Sequence, residues 1–226
     1  NITYTQPGTY QYTIREDKGT ISGVSYDGST YTVTVEVTEG TGENKGTLVR
    51  TVTYVKNSSA PTNAPAPDKA EFTNTYKADD EEVYPVALKN YVDNSGSTTL
   101  QDKQFQFTLV PANSDGTVLT DDEINTGNVP KPSVPTATND VNGRITFGTI
   151  KFGSNNINHE YCYLMNEVPG SVNDSHIDYS QDTYLVKYKV TDNGKGELVA
   201  TPTYYKLVND TWTPVEESEV IFTNTY

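Results

Sequence analysis

The pentapeptide FTNTY occurs twice in this chain, at residues 72–76 and again at residues 222–226. An identical run of this kind indicates two copies of one module. Alternate side chains of a β-strand share a face, so the Phe, the Asn and the Tyr should point into a core while the two threonines point outward. A buried amide between two aromatic side chains needs a hydrogen-bond partner or has a function of its own. The first candidate functional residues are therefore Asn74 and Asn224.

A second shared motif, YxYxxxE, lies upstream of each pentapeptide, at residues 10–16 and 161–167. A tyrosine-rich stretch separates it from FTNTY in both copies. In a regular strand the tyrosines and the glutamate, which is Glu16 or Glu167, lie on one face and point towards the core. A buried carboxylate without a partner is costly and tends to hold its proton. We therefore expect this glutamate to donate a hydrogen bond and not to carry a charge.

The composition predicts an all-β protein. Tyrosines number 17, glycines 16 and prolines 12 among 226 residues, and apolar residues at helical spacing are scarce. These features are typical of short strands separated by loops. Two proline-containing segments, residues 58–69 and 127–138, are predicted to be surface loops because proline cannot occupy a central strand.

Charge and residue usage exclude several classes of function. The net charge of −14 disfavours nucleic acids and anionic membrane surfaces as partners. Cys162 is the single cysteine, so the chain cannot form an internal disulfide, and two histidines are too few for a histidine-based metal cluster. No apolar run approaches the roughly 18 residues of a membrane span. We expect no metal, no cofactor and no membrane insertion in this sequence.

The two repeats predict two unequal modules. Residues 1–76 correspond to the C-terminal half of one β-sandwich, residues 77–82 form an acidic linker, and residues 83–226 form a complete module. Asn1 aligns near residue 152 of the second copy. Either the strands of the missing front half precede this sequence, or another chain supplies them.

A lysine on the first strand of the second module would complete a reactive group if that strand lay beside the last one. A desolvated lysine loses its proton more easily and becomes a nucleophilic amine. A protonated Glu167 would then bind the Asn224 carbonyl oxygen and move protons as ammonia leaves. The product would be an amide cross-link between two side chains.

This pattern of YxYxxxE, FTNTY and an upstream lysine resembles the isopeptide-forming, immunoglobulin-like modules of Gram-positive pilin backbone subunits and surface adhesins, often called CnaB-type. The resemblance covers the second module and the rear half of the first. It implies tandem immunoglobulin-like β-sandwiches in which Lys, Glu and Asn form a spontaneous intramolecular isopeptide bond. The matching residues are Lys89, Glu167 and Asn224 in the complete module, and Glu16 and Asn74 in the partial one, where no lysine occupies the corresponding place.

The position of Lys89 depends on how its strand is built. Val86 and Leu88 have the parity opposite to Lys89, so a regular strand cannot bury all three on one face. Either a bulge follows Leu88, or the inward face consists of the odd-numbered residues from Pro85 onward. Lys103, just before the strand with the FxFxL pattern, is the alternative nucleophile.

The resemblance implies a structural stalk protein of a pilus or adhesin, extracellular and anchored to the cell wall of a Gram-positive bacterium. Its partners would be neighbouring modules or subunits, and its only chemistry a single autocatalytic cross-link. The alternative is an adhesin module that binds carbohydrate or a host protein, for which Trp212 would be a sugar-stacking candidate. A glycosidase with paired carboxylates is disfavoured because the recurring glutamate lies among core-type residues. The sequence lacks an LPxTG-like signal, and Val86 stands where a YPK-type motif has its lysine.

Overall fold

A computed structural model describes residues 1–57 and 66–226, and the regular secondary structure of these residues is almost entirely β-strand. They divide into two compact units, Asn1–Lys77 and Ala78–Tyr226. Among the described residues, no helix combines the length and the apolarity needed to cross a bilayer.

The first unit has a three-stranded antiparallel sheet in the order β1-β3-β4 and a separate two-stranded pair of β2 with β5. Side chains alternate in β3, where one tyrosine and three valines are buried and the two threonines and one glutamate between them face away. The strands described in this unit are β1 (Gly8–Arg15), β2 (Val24–Ser25), β3 (Thr30–Glu39), β4 (Leu48–Asn57) and β5 (Thr75–Tyr76).

The second unit is a β-sandwich, as the sequence predicts. Its strands are β6 (Glu81–Val83), β7 (Val86–Val92), β8 (Gln106–Ala112), β9 (Thr136–Thr138), β10 (Arg144–Thr146), β11 (Ile150–Phe152), β12 (Glu160–Glu167), β13 (Thr183–Asp192), β14 (Leu198–Val208), β15 (Thr211–Val215) and β16 (Ile221–Thr225). Six of them form an antiparallel sheet in the order β15-β14-β13-β12-β8-β9. Opposite lie the sheet β10-β7-β16 and the pair β11-β6.

A single apolar core fills the space between these sheets. Phe107 of β8, Met165 of β12 and Phe222 of β16 all belong to it and are fully buried. The inward alternation predicted for Phe105, Phe107 and Leu109 is confirmed, since all three have no exposed surface. Burying each such side chain is worth roughly 2 kcal/mol. Packing on this face therefore holds β8 and β12 in the register that the functional site requires.

A short helix, α1 (Asp121–Thr126), is present where we expected only strands and loops. Its first turn is closed by a capping box, in which the Glu123 N–H bonds the Thr120 hydroxyl and the Glu123 carboxylate accepts the Thr120 N–H. Ile124 is buried and anchors the turn. The spacing Thr-x-x-Glu was a visible start signal, but six residues are too few to show apolar periodicity.

The two proline-rich segments differ from the predicted loops in part. Residues 58–65 lie outside the described residues. Residues 127–135 are irregular, as expected, but residues 136–138 form β9 at the edge of the six-stranded sheet. The last proline, Pro135, immediately precedes β9, and its carbonyl oxygen accepts the Leu109 N–H at 2.8 Å. Pairing at this residue uses the carbonyl group and not an N–H, so a proline is tolerated there.

The predicted acidic linker, residues 77–82, belongs largely to the second unit. Ala78 is buried in its core. The Asp79 N–H donates to the Gly196 carbonyl at 2.8 Å, and the Asp79 carbonyl accepts the Leu198 N–H at 3.1 Å. The strand β6 then pairs with β11. Backbone hydrogen bonds and the buried side chain of Ala78 thus hold this segment against the sandwich, although its acidic sequence predicted a linker.

Candidate functional site

Three strands bring the predicted residues Lys89, Glu167 and Asn224 together inside the second unit. Lys89 is on β7, Glu167 is the last residue of β12, and Asn224 is on β16. The strands β7 and β16 are parallel neighbours with continuous register through Lys89, so no bulge interrupts β7.

The inward face of β7 consists of the odd-numbered residues from Pro85 onward, which is the second of the two alternatives that the sequence left open. Pro85, Ala87 and Lys89 are buried, whereas Leu88 is exposed. In its parallel pairing with β16, β7 thus directs its odd-numbered side chains towards the core. The alternative nucleophile, Lys103, is exposed and has a positive φ of 56° in a turn.

The Glu167 carboxyl group bridges two nitrogen atoms. Lys89 Nζ lies 3.1 Å from Oε2, and Asn224 Nδ2 donates a hydrogen bond to Oε1 at 2.7 Å. The Lys89 and Glu167 side chains have 0% exposure, and Asn224 is equally buried. A buried ion or hydrogen-bonding group needs such partners, because leaving it unpaired would cost several kcal/mol. Each oxygen of Glu167 thus contacts a different side-chain nitrogen, that of Lys89 or that of Asn224.

The Asn224 side-chain oxygen accepts the backbone N–H of Ser180 at 2.7 Å. This bond fixes the orientation of the amide, with oxygen towards the backbone and the NH₂ group towards Glu167. Our expectation that Glu167 binds the Asn224 carbonyl oxygen was wrong. Sequence reasoning missed Ser180 because the donor is a main-chain N–H, which any residue except proline could supply.

Aromatic side chains make the surroundings of this group apolar. The Lys89 ammonium nitrogen lies 4.6 Å from the centroid of the Phe105 ring. Beside Asn224 in sequence, the Phe222 ring is 5.3 Å from Phe107 and 5.1 Å from Tyr184, centroid to centroid. The rings exclude water from the carboxyl and amine groups.

Burial shifts the protonation of both charged residues towards the neutral form. Desolvation lowers the pKa of Lys89 to about 8, against the opposing attraction of the Glu167 carboxylate. Desolvation also raises the pKa of Glu167, although Lys89 and the hydrogen bond from Asn224 favour its ionised form. The pocket therefore makes an uncharged amine and a protonated carboxyl group accessible near neutral pH.

The first unit repeats two of these contacts with Glu16 and Asn74. Asn74 Nδ2 donates to Glu16 Oε1 at 2.7 Å, and the Asn74 oxygen accepts the Asp27 N–H at 2.8 Å. The third contact is missing: Glu16 Oε2 is buried without a hydrogen-bond partner among the described residues. Asn74 itself is exposed, unlike Asn224.

The remaining candidates lie elsewhere. Cys162 is buried with Ala112 and Leu185 in a cluster separate from the main core, and burial raises the pKa of its thiol. Trp212 packs half-buried against the same cluster. Within the part of the chain that the structure describes, acidic, histidine and cysteine side chains form no group of three suited to a metal ion.

Comparison with known proteins identifies one family. A family model described as a Spy0128-like isopeptide containing domain matches residues 1–77 and 86–226, all of the chain except residues 78–85. This match confirms the resemblance that the repeated motifs carry. A comparison with curated proteins gave no match.

Similar solved structures include three major pilins of Streptococcus pyogenes. The pilin T3.2 of serotype GAS13637 is 21% identical, with a TM-score of 0.27 over 97% of this chain and 68% of that chain. The pilin described simply as the major pilin is 18% identical, with a TM-score of 0.28 over 99% and 72%. The pilin T-13 of serotype GAS131465 is 18% identical, with a TM-score of 0.26 over 99% and 68%. At these TM-scores the structural likeness carries no argument, and the assignment rests on the family match.

Proposed function

Because the chain belongs to the Spy0128-like isopeptide containing domain family, we propose that it is a structural protein of a Gram-positive cell surface, whose second unit is closed by a spontaneous isopeptide bond. The bond joins Lys89 Nζ to Asn224 Cγ, and Glu167 promotes it. The observation that carries this proposal is the buried bridge from Glu167 to the lysine and amide nitrogens.

The reaction converts an amine and a primary amide into a secondary amide and ammonia. The neutral Lys89 amine attacks Asn224 Cγ, so that a Cγ–Nζ bond forms. The Glu167 carboxyl group accepts a proton from Nζ on one oxygen and passes one to Nδ2 from the other. The Cγ–Nδ2 bond then breaks, and ammonia leaves. The Ser180 N–H stabilises negative charge on the amide oxygen during the attack.

The cross-link would carry mechanical load. It joins β7, near the start of the second unit, to β16 at its end, so tension would pass through a covalent tie and leave the core between them unstretched. By analogy with a disulfide, closing the loop from residue 89 to residue 224 contributes about 5 kcal/mol to the free energy of unfolding. An amide tie also does not depend on redox conditions, which suits an extracellular chain with one cysteine.

The two units are interpreted as two copies of one module, of which residues 1–76 represent the rear half. Neighbouring modules or subunits of a pilus or adhesin stalk are the expected partners, and the cell wall is the expected anchoring point. The proposed cross-linking reaction occurs once in each chain, so in this proposal the protein is not an enzyme.

The intact mass of the denatured protein tests the proposal. We expect a mass lower than that of the sequence by one ammonia, and a tryptic peptide that joins Lys89 to Asn224. Asn224→Ala should restore the full mass. Asn90→Ala is the matched control: Asn90 is exposed on the opposite face of β7 from Lys89, so this variant should leave the cross-link intact. A full, unmodified mass in the wild-type chain would contradict the proposal.

A further inference from the structure

The Ser180 N–H, which holds the Asn224 oxygen, belongs to the connection between β12 and β13, residues 168–182. These described residues form no helix or strand beyond one isolated bridge, in which Asp178 and Thr225 exchange N–H to carbonyl bonds of 2.8 and 3.0 Å. A backbone N–H stabilises developing charge well only if its direction is fixed before the reaction. In an irregular connection, that direction depends on the side chains that restrain the backbone.

The side chain of Tyr179, the residue before Ser180, closes a loop within this connection. Its hydroxyl accepts the Val172 N–H at 3.0 Å and donates to the Val172 carbonyl at 2.8 Å. Its ring meets Phe105 edge-on, with 5.9 Å between the centroids and 86° between the planes. Phe105 is fully buried, and it is the ring that lies beside the Lys89 ammonium nitrogen. One side chain thus closes the loop and joins it to the aromatic wall of the pocket.

The first unit contains the same arrangement. The Asp27 N–H donates to the Asn74 oxygen, and the residue before Asp27 is again a tyrosine, Tyr26. The Tyr26 hydroxyl accepts the Ile21 N–H at 3.2 Å. The bonded residues are five positions apart here and seven apart in the second unit. A bond that recurs across loops of different length points to a role in placing the residue that follows the tyrosine.

The strand that carries Asn224 is held by other contacts. Along its length β16 pairs with β7. Near its start, the Tyr184 hydroxyl donates to the Ile221 carbonyl at 2.8 Å and accepts the Ile221 N–H at 3.3 Å. Losing the Tyr179 hydroxyl should therefore leave Asn224 in place and change the donor that faces its oxygen.

We propose that Tyr179 is a positioning residue for the cross-linking reaction, which closes the loop from Val172 and thereby holds the Ser180 N–H towards the Asn224 oxygen. This inference deepens the proposed function and rests on it. During the attack on Asn224 Cγ, negative charge develops on that oxygen, and a donor that is already aimed stabilises it without reorganisation. Tyr179 acts through the backbone and takes part in no bond-making step.

Tyr179→Phe tests the inference, because it removes the hydroxyl and keeps the ring that packs on Phe105. The full chain is held unfolded in denaturant and diluted into buffer, and its intact mass is recorded with time. Circular dichroism of the same samples separates slow folding from slow reaction. The folded variant should lose ammonia about tenfold more slowly than wild type, less than the roughly 10²- to 10³-fold loss for removing a donor, because the N–H remains but is less well aimed.

Tyr163→Phe is the matched control. The Tyr163 hydroxyl also donates to a backbone carbonyl, that of Pro130, at 2.7 Å. This variant therefore loses a comparable tyrosine-to-backbone hydrogen bond, in a part of the second unit that does not hold the Ser180 N–H. It should cross-link at the wild-type rate.

Hydrogen exchange of the Ser180 amide, measured by NMR, separates positioning from a general loss of stability. In Tyr179→Phe this amide should exchange at least about tenfold faster than in wild type, while the amides of β12 keep their rates, because only the loop opens. Tyr163→Phe should leave the exchange of Ser180 relative to β12 unchanged.

Each result decides one question. The inference is overturned if Tyr179→Phe cross-links as fast as Tyr163→Phe, or if its Ser180 amide exchanges at the wild-type rate; the proposed function then stands. A wild-type chain that keeps its full mass contradicts the proposed function instead, and the Ser180 exchange rates still decide whether Tyr179 holds this N–H.

Discussion

At the scale of single residues, the two oxygens of Glu167 contact the two nitrogens whose protons would move in the proposed reaction. Oε2 faces Lys89 and Oε1 faces Asn224, at 3.1 and 2.7 Å. A shorter or uncharged side chain would lose one of these roles. The two roles proposed for this residue can thus be separated, since binding needs acceptor oxygens and proton transfer needs a titratable group.

Glu167→Gln separates these functions experimentally. The glutamine oxygen can still accept from Asn224, but its NH₂ group cannot take the lysine proton, so bond formation should slow by roughly 10²- to 10⁴-fold. The intact mass of freshly purified protein, followed with time, measures this rate. Glu160→Gln, an exposed change on the same strand, should leave it unaltered. Ammonia loss at the wild-type rate in Glu167→Gln would show that the carboxyl group is not the proton carrier.

The pH dependence of bond formation follows from the shared proton of Lys89 and Glu167. The reactive form, with a neutral amine and a protonated carboxyl, contains the same number of protons as the ion pair, so its population does not change with pH while the pair holds one proton. The last proton is lost as the pH rises through the Lys89 pKa of about 8. The rate should therefore be level below pH 8 as long as the pair holds one proton, fall about tenfold per unit above pH 8, and fall again at low pH once the pair takes up a second proton.

This rate can be measured on chain kept unfolded by denaturant until it is diluted into buffers of different pH, with the mass recorded at intervals. A rate that instead rises tenfold per unit towards pH 8 would mean that the reactive form has lost the shared proton, and that Glu167 acts only as a base.

At the scale of elements, the position of β7 depends on a tight contact with the turn before β10. The Lys89 N–H donates to the Gly143 carbonyl at 2.6 Å, and Gly143 has a φ of 83°. A Cβ atom at this position would collide with the Lys89 carbonyl oxygen. The glycine therefore allows the backbone of β7 to approach closely at Lys89, the proposed nucleophile.

Gly143→Ala should displace β7 at Lys89, lower the free energy of unfolding by about 2 kcal/mol and slow cross-linking. Urea denaturation and intact mass measure the two effects. Gly194→Ala is the matched control, because its φ of 70° brings a similar backbone cost but its added Cβ meets no atom within 4 Å. Equal cross-linking rates in the two variants would mean that the contact does not position Lys89.

At the scale of the whole molecule, the two units reach different states from the same motifs. The second has both layers of its sandwich, and its lysine, glutamate and asparagine are enclosed. In the described part of the first, Asn74 is exposed and one oxygen of Glu16 is buried without a hydrogen-bond partner. The same motifs thus lie in an enclosed pocket in the second unit and beside an exposed asparagine in the first.

Pulling on the two ends of the second unit tests its mechanical role. With the cross-link, residues between 89 and 224 cannot extend, so unfolding should release little chain. Asn224→Ala should release roughly 450 Å more, the extended length of that loop. Single-molecule force spectroscopy measures this difference, and Asn90→Ala serves as the control. Equal extension in wild type and Asn224→Ala would contradict a load-bearing tie.

The sequence by itself determined the features that depend on local alternation and on repetition. The inward direction of Glu167 and Asn224 followed from the parity of YxYxxxE and FTNTY, because side chains alternate strictly along a strand. The all-β class followed from composition and turn residues. The partial match in the first unit, with Glu16 and Asn74 but no lysine, was also visible in the residues alone.

Only the tertiary structure decided how distant segments meet. The parallel pairing of β7 with β16 selected the odd-numbered face of β7 and thereby Lys89 over Lys103 as the lysine beside Glu167. The Ser180 N–H set the orientation of the Asn224 amide, against our expectation. Both depend on register between strands far apart in the chain, and on main-chain groups that every residue shares. No local pattern encodes them, because their energies arise only when the layers pack.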